Sequence, residues 1–251
     1  MNTSAVAIFF HNYYGHHAEW LNYFKKTIRF DACLYYNINE DSIYNIQEND
    51  PAAFNAFGAQ PDHSIQQLLV RSSSNMGKDI GGKLVLLDSY LRLAGNSEYC
   101  LFLHDKKSPY KANAEAWKNN LFAIAEEDFS SKALQLFSRQ PNAGIITANG
   151  NVKDEYDYDR QAFSSNNRLL LPALQQAYEI HPPSFHYVTG TMFWCRMQPL
   201  VNFFTRHSPL SVRSQLEKGN VIDDFEGSHT HAWERLLCWL VTAQQYAIKT
   251  I

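Results

Sequence analysis

The feature that most constrains the fold of this chain is a short apolar run that ends abruptly in charged residues, residues 99–109 (YCLFLHDKKSP). Residues 99–103 have the composition of a buried strand, and the polarity changes at His104. Pro109 prevents the segment from continuing as an interior member of a sheet. In open α/β sheets, ligands bind just beyond the carboxyl ends of the strands. The run therefore predicts a buried strand with a candidate binding site at its end.

The remainder of the chain shows related patterns. Residues 5–10 (AVAIFF) and 32–36 (ACLYY) predict strands, and residues 16–28 between them have helical apolar spacing. Strand, helix and strand in this order predict the start of a parallel, doubly wound sheet. Further strands are predicted at residues 67–71, 99–103, 143–147 and 185–195, and helices at 84–93, 117–137, 169–180, from 199 and at 231–243. The polar residues 153–167 predict a mobile surface loop.

Composition limits the class of protein. A chain of 251 residues with 45% hydrophobic and 19% charged residues can bury a sizeable core, and we expect one domain over residues 1–251. The net charge of −3 gives no general attraction to nucleic acid. No apolar run is long enough to span a bilayer. Four widely spaced cysteines form neither a CxxC metal site nor a disulfide framework, and the N-terminus lacks the basic region of a secretory signal. These features predict a reducing, cytoplasmic location.

The strand end at residue 104 carries a compact set of ligand-binding groups. An imidazole, a carboxylate, two ammonium groups and a hydroxyl follow one another, which suits a phosphorylated ligand. The alternative is a solvated basic turn, which the residues alone favour equally. The candidate residues are His104, Asp105, Lys106, Lys107 and Ser108.

A second candidate segment, residues 75–82 (NMGKDIGG), places three glycines before a predicted helix. Glycines let backbone N–H groups approach a ligand, and a helix N-terminus favours anions. A lysine here would pair with phosphate and an aspartate with a sugar hydroxyl. The segment matches neither a Walker motif nor GxGxxG, and a plain strand-to-helix turn with Asp79 as its cap is the simpler interpretation. The candidate ligand contacts are Asn75, Gly77, Lys78, Asp79 and Gly81.

Residues 190–196 (GTMFWCR) form an apolar strand that begins with a glycine. The simplest interpretation is core, and the functional one is that Gly190 and Thr191 line a sugar with exposed backbone groups. Trp194 is added as a candidate sugar contact, since aromatic rings stack on sugars as well as filling cores. Arg196 is expected at the surface or paired with a carboxylate, because an unpaired buried charge is costly.

An acidic cluster precedes the last apolar helix. Asp223, Asp224 and Glu226 lie ahead of His229 and His231, and a carboxylate in such a loop can serve as a general base if burial tunes its pKa. An interaction with the N-terminal helix dipole is the alternative for Glu226. The histidines also suggest a metal, although no established spacing such as HExxH is present. The neighbouring pair Glu234 and Arg235 is expected to be a structural ion pair.

Together these blocks resemble the rhamnan synthesis protein F family of bacterial polysaccharide glycosyltransferases. Four blocks occur in the order of the family and over most of the chain, which is more specific than any one of them. A similar first strand is followed by the loop at residues 11–14 (HNYY). The four blocks are residues 75–84 (NMGKDIGGKL), 101–110 (LFLHDKKSPY), 190–196 (GTMFWCR) and 231–236 (HAWERL).

The resemblance implies a GT-A-like, Rossmann-type α/β fold with a mostly parallel central sheet flanked by helices. It also implies an inverting hexosyltransferase that uses a nucleotide-sugar donor of the dTDP-rhamnose or UDP-galactofuranose type. The acceptor would be a growing cell-surface polysaccharide (O-antigen, capsule or rhamnan), commonly lipid-linked, which extends the predicted location to the inner face of the membrane. Two rivals stay open: a non-catalytic glycan-binding or scaffolding domain, and a phosphate-processing hydrolase, although no GxSxG elbow is present.

The resemblance also implies roles for individual residues. Glu226 is the candidate base, with Asp224 as second choice. Residues 104, 106 and 107 would stabilise the departing diphosphate, and His11 belongs to the donor-binding set. His231 is a candidate sugar contact. GT-A enzymes commonly hold a divalent metal through Asp-x-Asp where this chain has His104, Asp105 and Lys106. We therefore expect no resident metal, with Mg²⁺ or Mn²⁺ on Asp105 as the alternative.

Overall fold

A central sheet positions the candidate residues in the computed structural model, which describes residues 5–48, 51–58, 64–105, 121–222 and 227–251. The strands in this part of the chain are β1 (Val6–Asn12), β2 (Ala32–Asn39), β3 (Ile65–Ser73), β4 (Tyr99–His104), β5 (Ala143–Thr147), β6 (Val152–Asp154), β7 (Tyr156–Asp157), β8 (Ala162–Phe163), β9 (His186–Val188), β10 (Phe193–Arg196) and β11 (Ala247–Thr250). The α-helices are α1 (His17–Thr27), α2 (Ile43–Glu48), α3 (Pro51–Gly58), α4 (Lys78–Arg92), α5 (Glu127–Arg139), α6 (Leu170–Tyr178), α7 (Met197–Arg206), α8 (Pro209–Arg213) and α9 (His229–Thr242).

Seven of the described strands form the main sheet, in the spatial order β11-β5-β10-β4-β1-β2-β3. All neighbours are parallel except β10, which runs antiparallel to β4 and β5. We call the side on which β1, β2, β3 and β4 end the carboxyl edge, and the opposite side the amino edge. Because β10 runs the other way, its first residues, rather than its last, lie at the carboxyl edge. The predicted mostly parallel α/β sheet is confirmed.

Each face of the sheet is covered by helices, as predicted. Successive side chains of β1 alternate between the faces, as the pleat of a strand requires. Ala7 and Phe9 belong to the cluster that includes apolar side chains of α4 and α9, whereas Ile8 and Phe10 pack with those of α1 and α5. Of the helices in the described residues, none is long and apolar enough to cross a membrane.

Two predicted elements differ from the structure. Helix α4 begins at Lys78 rather than at residue 84, so Gly77 is its N-cap residue and Gly81 and Gly82 lie in its first turns. The single strand predicted at residues 185–195 is divided into β9 and β10, which belong to different sheets. The break falls at Gly190 and Thr191, whose φ angles of +78° and +52° are left-handed and end any extended ladder.

The prediction of a mobile surface loop at residues 153–167 is wrong. This segment contributes to β6, β7 and β8, and β6 pairs with β9. Its Glu155 is only 2% exposed and accepts a hydrogen bond of 2.8 Å from Nε of Arg235 on α9. A polar sequence is packed here because a cation from a distant helix neutralises its buried carboxylate.

Candidate functional site

The carboxyl edge brings together several predicted residues with one that sequence reasoning did not select. Asp79 comes from the first turn of α4, His104 from the end of β4, and Thr191 from the turn before β10. All three contact the side chain of Lys83, one helical turn after Asp79. We call Asp79, Lys83, His104 and Thr191 the lysine network.

The ammonium group of Lys83 lies at the centre of this network and has no exposed surface. Its Nζ is 2.9 Å from Oδ2 of Asp79, 2.8 Å from the carbonyl oxygen of Thr191 and 2.6 Å from Oγ1 of Thr191. Nδ1 of His104 is a fourth neighbour at 3.2 Å. Three oxygen acceptors match the three N–H bonds of an ammonium ion, whereas a neutral amine has only two. Burial lowers the pKa of Lys83, against opposing contributions from Asp79, and the three oxygen acceptors indicate that the lysine is protonated.

Asp79 is the counterion of Lys83. Its Oδ2 accepts hydrogen bonds from Lys83 Nζ and from the hydroxyl of Thr191, and it lies 3.5 Å from Nδ1 of His104. Burial by itself raises the pKa of this carboxyl. The charges of Lys83 and His104, with hydrogen bonds from Lys83 and Thr191, outweigh burial and hold the pKa well below its ordinary value. Asp79 is thus an ionised carboxylate, with 22% of its side chain exposed.

One residue of the lysine network and one residue beside it have an unusual backbone conformation. Lys78 and Thr191 have φ angles of +49° and +52°, each directly after a glycine. A β-branched residue rarely adopts this region, and such strain persists only where the surroundings impose it. At Thr191 the imposing contacts are those with Lys83, together with a 2.8 Å hydrogen bond from the backbone N–H of Gly190 to Oε1 of Glu234 on α9. Among the seven non-glycine residues with positive φ in the described part of the chain, Thr191 is the only β-branched one.

His11 lies beneath this edge rather than at its surface. It is 2% exposed, and Nδ2 of Asn37 donates to its Nδ1 over 2.9 Å. Burial lowers the pKa of His11 to about 4, against an opposing contribution from Asp79, so the ring is neutral near pH 7. A Cβ on Gly82 would overlap the ring. In this arrangement His11 supports α4 from below, and a ligand would have to displace neighbours to reach it.

Asp105 anchors the loop that follows β1. One of its carboxylate oxygens accepts from the backbone N–H of Tyr13 over 2.8 Å, and the other from that of Tyr14 over 2.5 Å. Each oxygen is therefore already bonded to the loop, which does not favour Asp105 as a metal ligand. Across the described ranges, no three His, Cys, Asp or Glu side chains form a group that could hold a metal ion. The expected absence of a resident metal stays a prediction.

The backbone N–H groups of the two candidate glycines are already bonded. The N–H of Gly77 donates to the carbonyl of Glu217, and that of Gly81 to the carbonyl of Gly77, both over 2.8 Å. A Cβ at Gly81 would overlap the carbonyl of Met76. The expectation that these N–H groups face a ligand is therefore wrong: the glycines permit close packing of the chain. Asn75 is also inward, 7% exposed, with its Nδ2 bonded to Asn220 over 3.2 Å.

Trp194 is a core residue and not a sugar contact. Its side chain has no exposed surface, and its indole N–H donates to the carbonyl of Ile124 over 2.8 Å. His231 lies in the first turn of α9, where its Nδ1 is 2.6 Å from the hydroxyl of the N-cap residue Ser228. The expected ion pair of Glu234 and Arg235 is confirmed at 2.9 Å.

Several candidates lie outside the described residues, and their roles stay predictions. These are Lys106, Lys107, Ser108, Asp224 and Glu226.

Sequence reasoning missed Lys83 and Glu234 as site residues. An aspartate followed by a lysine four positions later is the spacing of a helical ion pair, so Asp79 and Lys83 carried a usable signal once the helix was begun at residue 78. Glu234 offered none, because its bond to Gly190 joins segments 44 residues apart. A tyrosine cluster at the same edge was also missed: the ring centroids of Tyr13 and Tyr14 are 4.9 Å apart, and those of Tyr14 and Tyr44 are 5.3 Å apart.

Comparison with known proteins identifies similar sequences. The family model described as rhamnan synthesis protein F matches residues 1–246 of the chain. A curated protein of Xanthomonas campestris pv. campestris, described as "Uncharacterized protein WxcX", is 25% identical over 189 residues. That match covers 74% of this chain and 25% of the relative, so the chain spans about a quarter of that relative's length.

Proposed function

Since the chain belongs to the rhamnan synthesis protein F family, we propose that it transfers a sugar from a nucleotide-diphosphate donor to a growing polysaccharide. The family name refers to polysaccharide synthesis, and donor, acceptor and chemistry are our proposal. The observation that carries it is the lysine network at the carboxyl edge, which combines an ionised carboxylate, an imidazole and strained backbone where α/β sheets bind ligands.

The proposed donor is a nucleotide sugar of the dTDP-rhamnose or UDP-galactofuranose type. Its diphosphate would lie beyond the end of β4, near His104, Lys106 and Lys107. Cationic groups placed where a leaving group gains negative charge stabilise the transition state. The tyrosine cluster of Tyr44, which is exposed, and the half-buried Tyr13 and Tyr14 offers aromatic faces on which the nucleobase would stack.

The proposed reaction is an inverting displacement. A hydroxyl oxygen of the acceptor glycan attacks the anomeric carbon as the bond from that carbon to the diphosphate oxygen breaks. The bonding electron pair leaves with the nucleoside diphosphate, and the hydroxyl proton passes to a carboxylate, for which Glu226 is our first candidate and Asp224 our second. The acceptor is proposed to be lipid-linked, so that the enzyme would act at the inner face of a membrane.

Two measurements test this proposal. Calorimetric titration with dTDP, UDP and their sugar conjugates should give binding at millimolar concentration or tighter, and binding of none of them would refute the donor site. The variant Glu226→Gln should bind donor as the wild type does and transfer almost no sugar, because the amide cannot accept the proton. Asp224→Asn is the matched control. If Asp224→Asn abolishes transfer while Glu226→Gln does not, the base is Asp224.

A further inference from the structure

Lys83 is surrounded as a bound cation would be. Three oxygen acceptors lie 2.6 to 2.9 Å from its Nζ, namely a carboxylate, a carbonyl and a hydroxyl oxygen, and an imidazole nitrogen lies 3.2 Å away. Lysine is almost never fully buried unless it is paired, and here the whole side chain is enclosed. We propose that Lys83 is a positioning residue, a fixed internal cation that aims the free oxygen of Asp79 at a hydroxyl of the donor's sugar. This inference rests on the proposed function.

The two carboxylate oxygens of Asp79 have different surroundings. Lys83, Thr191 and His104 all approach Oδ2, and no described residue bonds Oδ1. The carboxylate is partly exposed, so a ligand at the carboxyl edge can reach it. One oxygen thus fixes the orientation of the group while the other is available. A rigidly held acceptor of this kind selects a ligand by its hydroxyl position.

The charges of Lys83 and Asp79 determine which kind of ligand the carboxylate accepts. The positive charge of Lys83 balances that of Asp79 at 2.9 Å, so the pair has no net charge to attract a free cation. The carboxylate still accepts hydrogen bonds, and a hydroxyl donor suits it better than a second cation beside the ammonium. The chemistry of the pair therefore indicates a sugar hydroxyl as the ligand of Asp79.

Lys83 also fixes the turn before β10. Lys83 donates to both the carbonyl and the hydroxyl of Thr191, the residue with the strained φ angle. It thereby holds this turn against α4 across 108 positions of sequence. Loss of the ammonium would free Asp79 and Thr191 together, so the effect on sugar binding should exceed that of losing one hydrogen bond.

The test compares binding of an intact nucleotide sugar with that of its nucleoside diphosphate, using dTDP-rhamnose with dTDP and UDP-galactofuranose with UDP. Lys83→Met should lower the affinity for the nucleotide sugar by at least about tenfold and change the affinity for the nucleoside diphosphate by less than about threefold. Arg196→Met, which removes an enclosed cation at the amino edge, is the matched control and should change neither. If Lys83→Met does not fold, Thr191→Val, which removes the hydroxyl bonded to Asp79 Oδ2, should show a smaller loss of nucleotide-sugar affinity with the same selectivity. An unchanged ratio of the two affinities in the folded variant overturns the proposal.

A second measurement needs no donor. Lys83→Ala should melt at a lower temperature than the wild type. The n-propylammonium ion, which carries the atoms that the substitution removes, should raise the melting temperature of the variant in a saturable way. Tetramethylammonium, which has no N–H, should restore nothing. Equal effects of the two salts would overturn the internal cation. If the wild type binds no nucleotide sugar, the proposed function and the hydroxyl contact both fail, whereas selective amine rescue would still establish the cation.

Discussion

Lys83 and Arg196 are cations enclosed at opposite edges of the same sheet, and their partners differ in kind. Arg196 ends β10 at the amino edge and donates to the backbone carbonyls of Phe137 and Ala143 over 2.6 and 2.8 Å. Its guanidinium also lies 5.5 Å from the ring centroid of Tyr99. Since Phe137 belongs to the last turn of α5, this arginine satisfies helix-end carbonyls and stacks on aromatic rings, as structural arginines commonly do.

Lys83 has a different set of partners. A carboxylate, a hydroxyl and an imidazole converge on it, together with the carbonyl of a residue in strained backbone. The comparison teaches that burial of a charge does not by itself indicate function. The two sites differ in their partners. Those of Arg196 are mostly backbone carbonyls that need a hydrogen-bond donor, whereas those of Lys83 include side chains that can take part in binding or catalysis. Three stability measurements test this difference.

The largest effect is expected from removing the acidic partner of each cation. Asp79→Asn leaves Lys83 buried without its counterion, and breaking a buried pair in this way costs about 3–5 kcal/mol. Glu98→Gln removes the carboxylate 3.6 Å from Arg196, but that side chain is 65% exposed, so the cost should be below about 1 kcal/mol. Urea unfolding of both variants measures the difference. Similar losses of unfolding free energy in the two variants would mean that Lys83 and Arg196 depend equally on their acidic partners.

The next effect is a dependence of stability on pH that comes from the carboxyl edge. His11 has a pKa of about 4 when folded, mainly because of burial, against 6.5 for the ordinary side chain. Between these values the unfolded chain binds a proton that the folded one does not. Stability is therefore complete above pH 6.5 and is lost as the pH falls toward 4, by up to about 3 kcal/mol.

The variant His11→Gln should flatten this part of the stability curve, as measured by urea unfolding at several pH values. The buried histidines of the described residues are His11, His17 and His104, and each lies at or just after the end of a strand on the carboxyl edge. A curve of unchanged slope in the variant would show that His11 is not the titrating group.

The smallest effect is expected from a single added methyl group. In Gly82→Ala the new Cβ overlaps the ring of His11, and such overpacking typically costs about 1–3 kcal/mol despite the better helix propensity of alanine. Gly58→Ala, at the end of α3, meets nothing within 4 Å and should be neutral or slightly stabilising. Thermal melting of the pair gives the comparison. A Gly82→Ala protein as stable as Gly58→Ala would show that the carboxyl edge is less tightly packed than described.

Much of the sheet was predictable, because strands such as β1, β4 and β5 are continuous apolar runs bounded by polar residues. The position of the carboxyl edge could be predicted from these runs, since each of them ends where the sequence becomes polar. The beginning of α4 was not predictable in the same way. Its first turns contain two lysines, an aspartate and two glycines, which locally favour a turn, and the tertiary contacts of the buried Lys83 with His104 and Thr191 are not visible in the sequence.

The site was predicted in part. Asp79, His104 and Thr191 were selected from strand ends and from the resemblance, and the structure brings them together. The reversed direction of β10 could not be predicted, because apolar strands look alike in either orientation. For the same reason the depth at which Trp194 lies in the core could not be predicted. Glu155 was missed for the same kind of reason, since its partner Arg235 is 80 positions away.

The position of β10 also constrains the order in which the chain can assemble. In the described residues β5 is paired with β10 and β11 and not with β4, although it follows β4 in sequence. The strands β1 to β4 can therefore associate while the chain is still being synthesised, whereas β5 must wait until residues 193–196 emerge and insert between it and β4. Contacts of such long sequence separation form slowly. The lysine network spans this junction, so the site is completed only when the two halves of the sheet have joined.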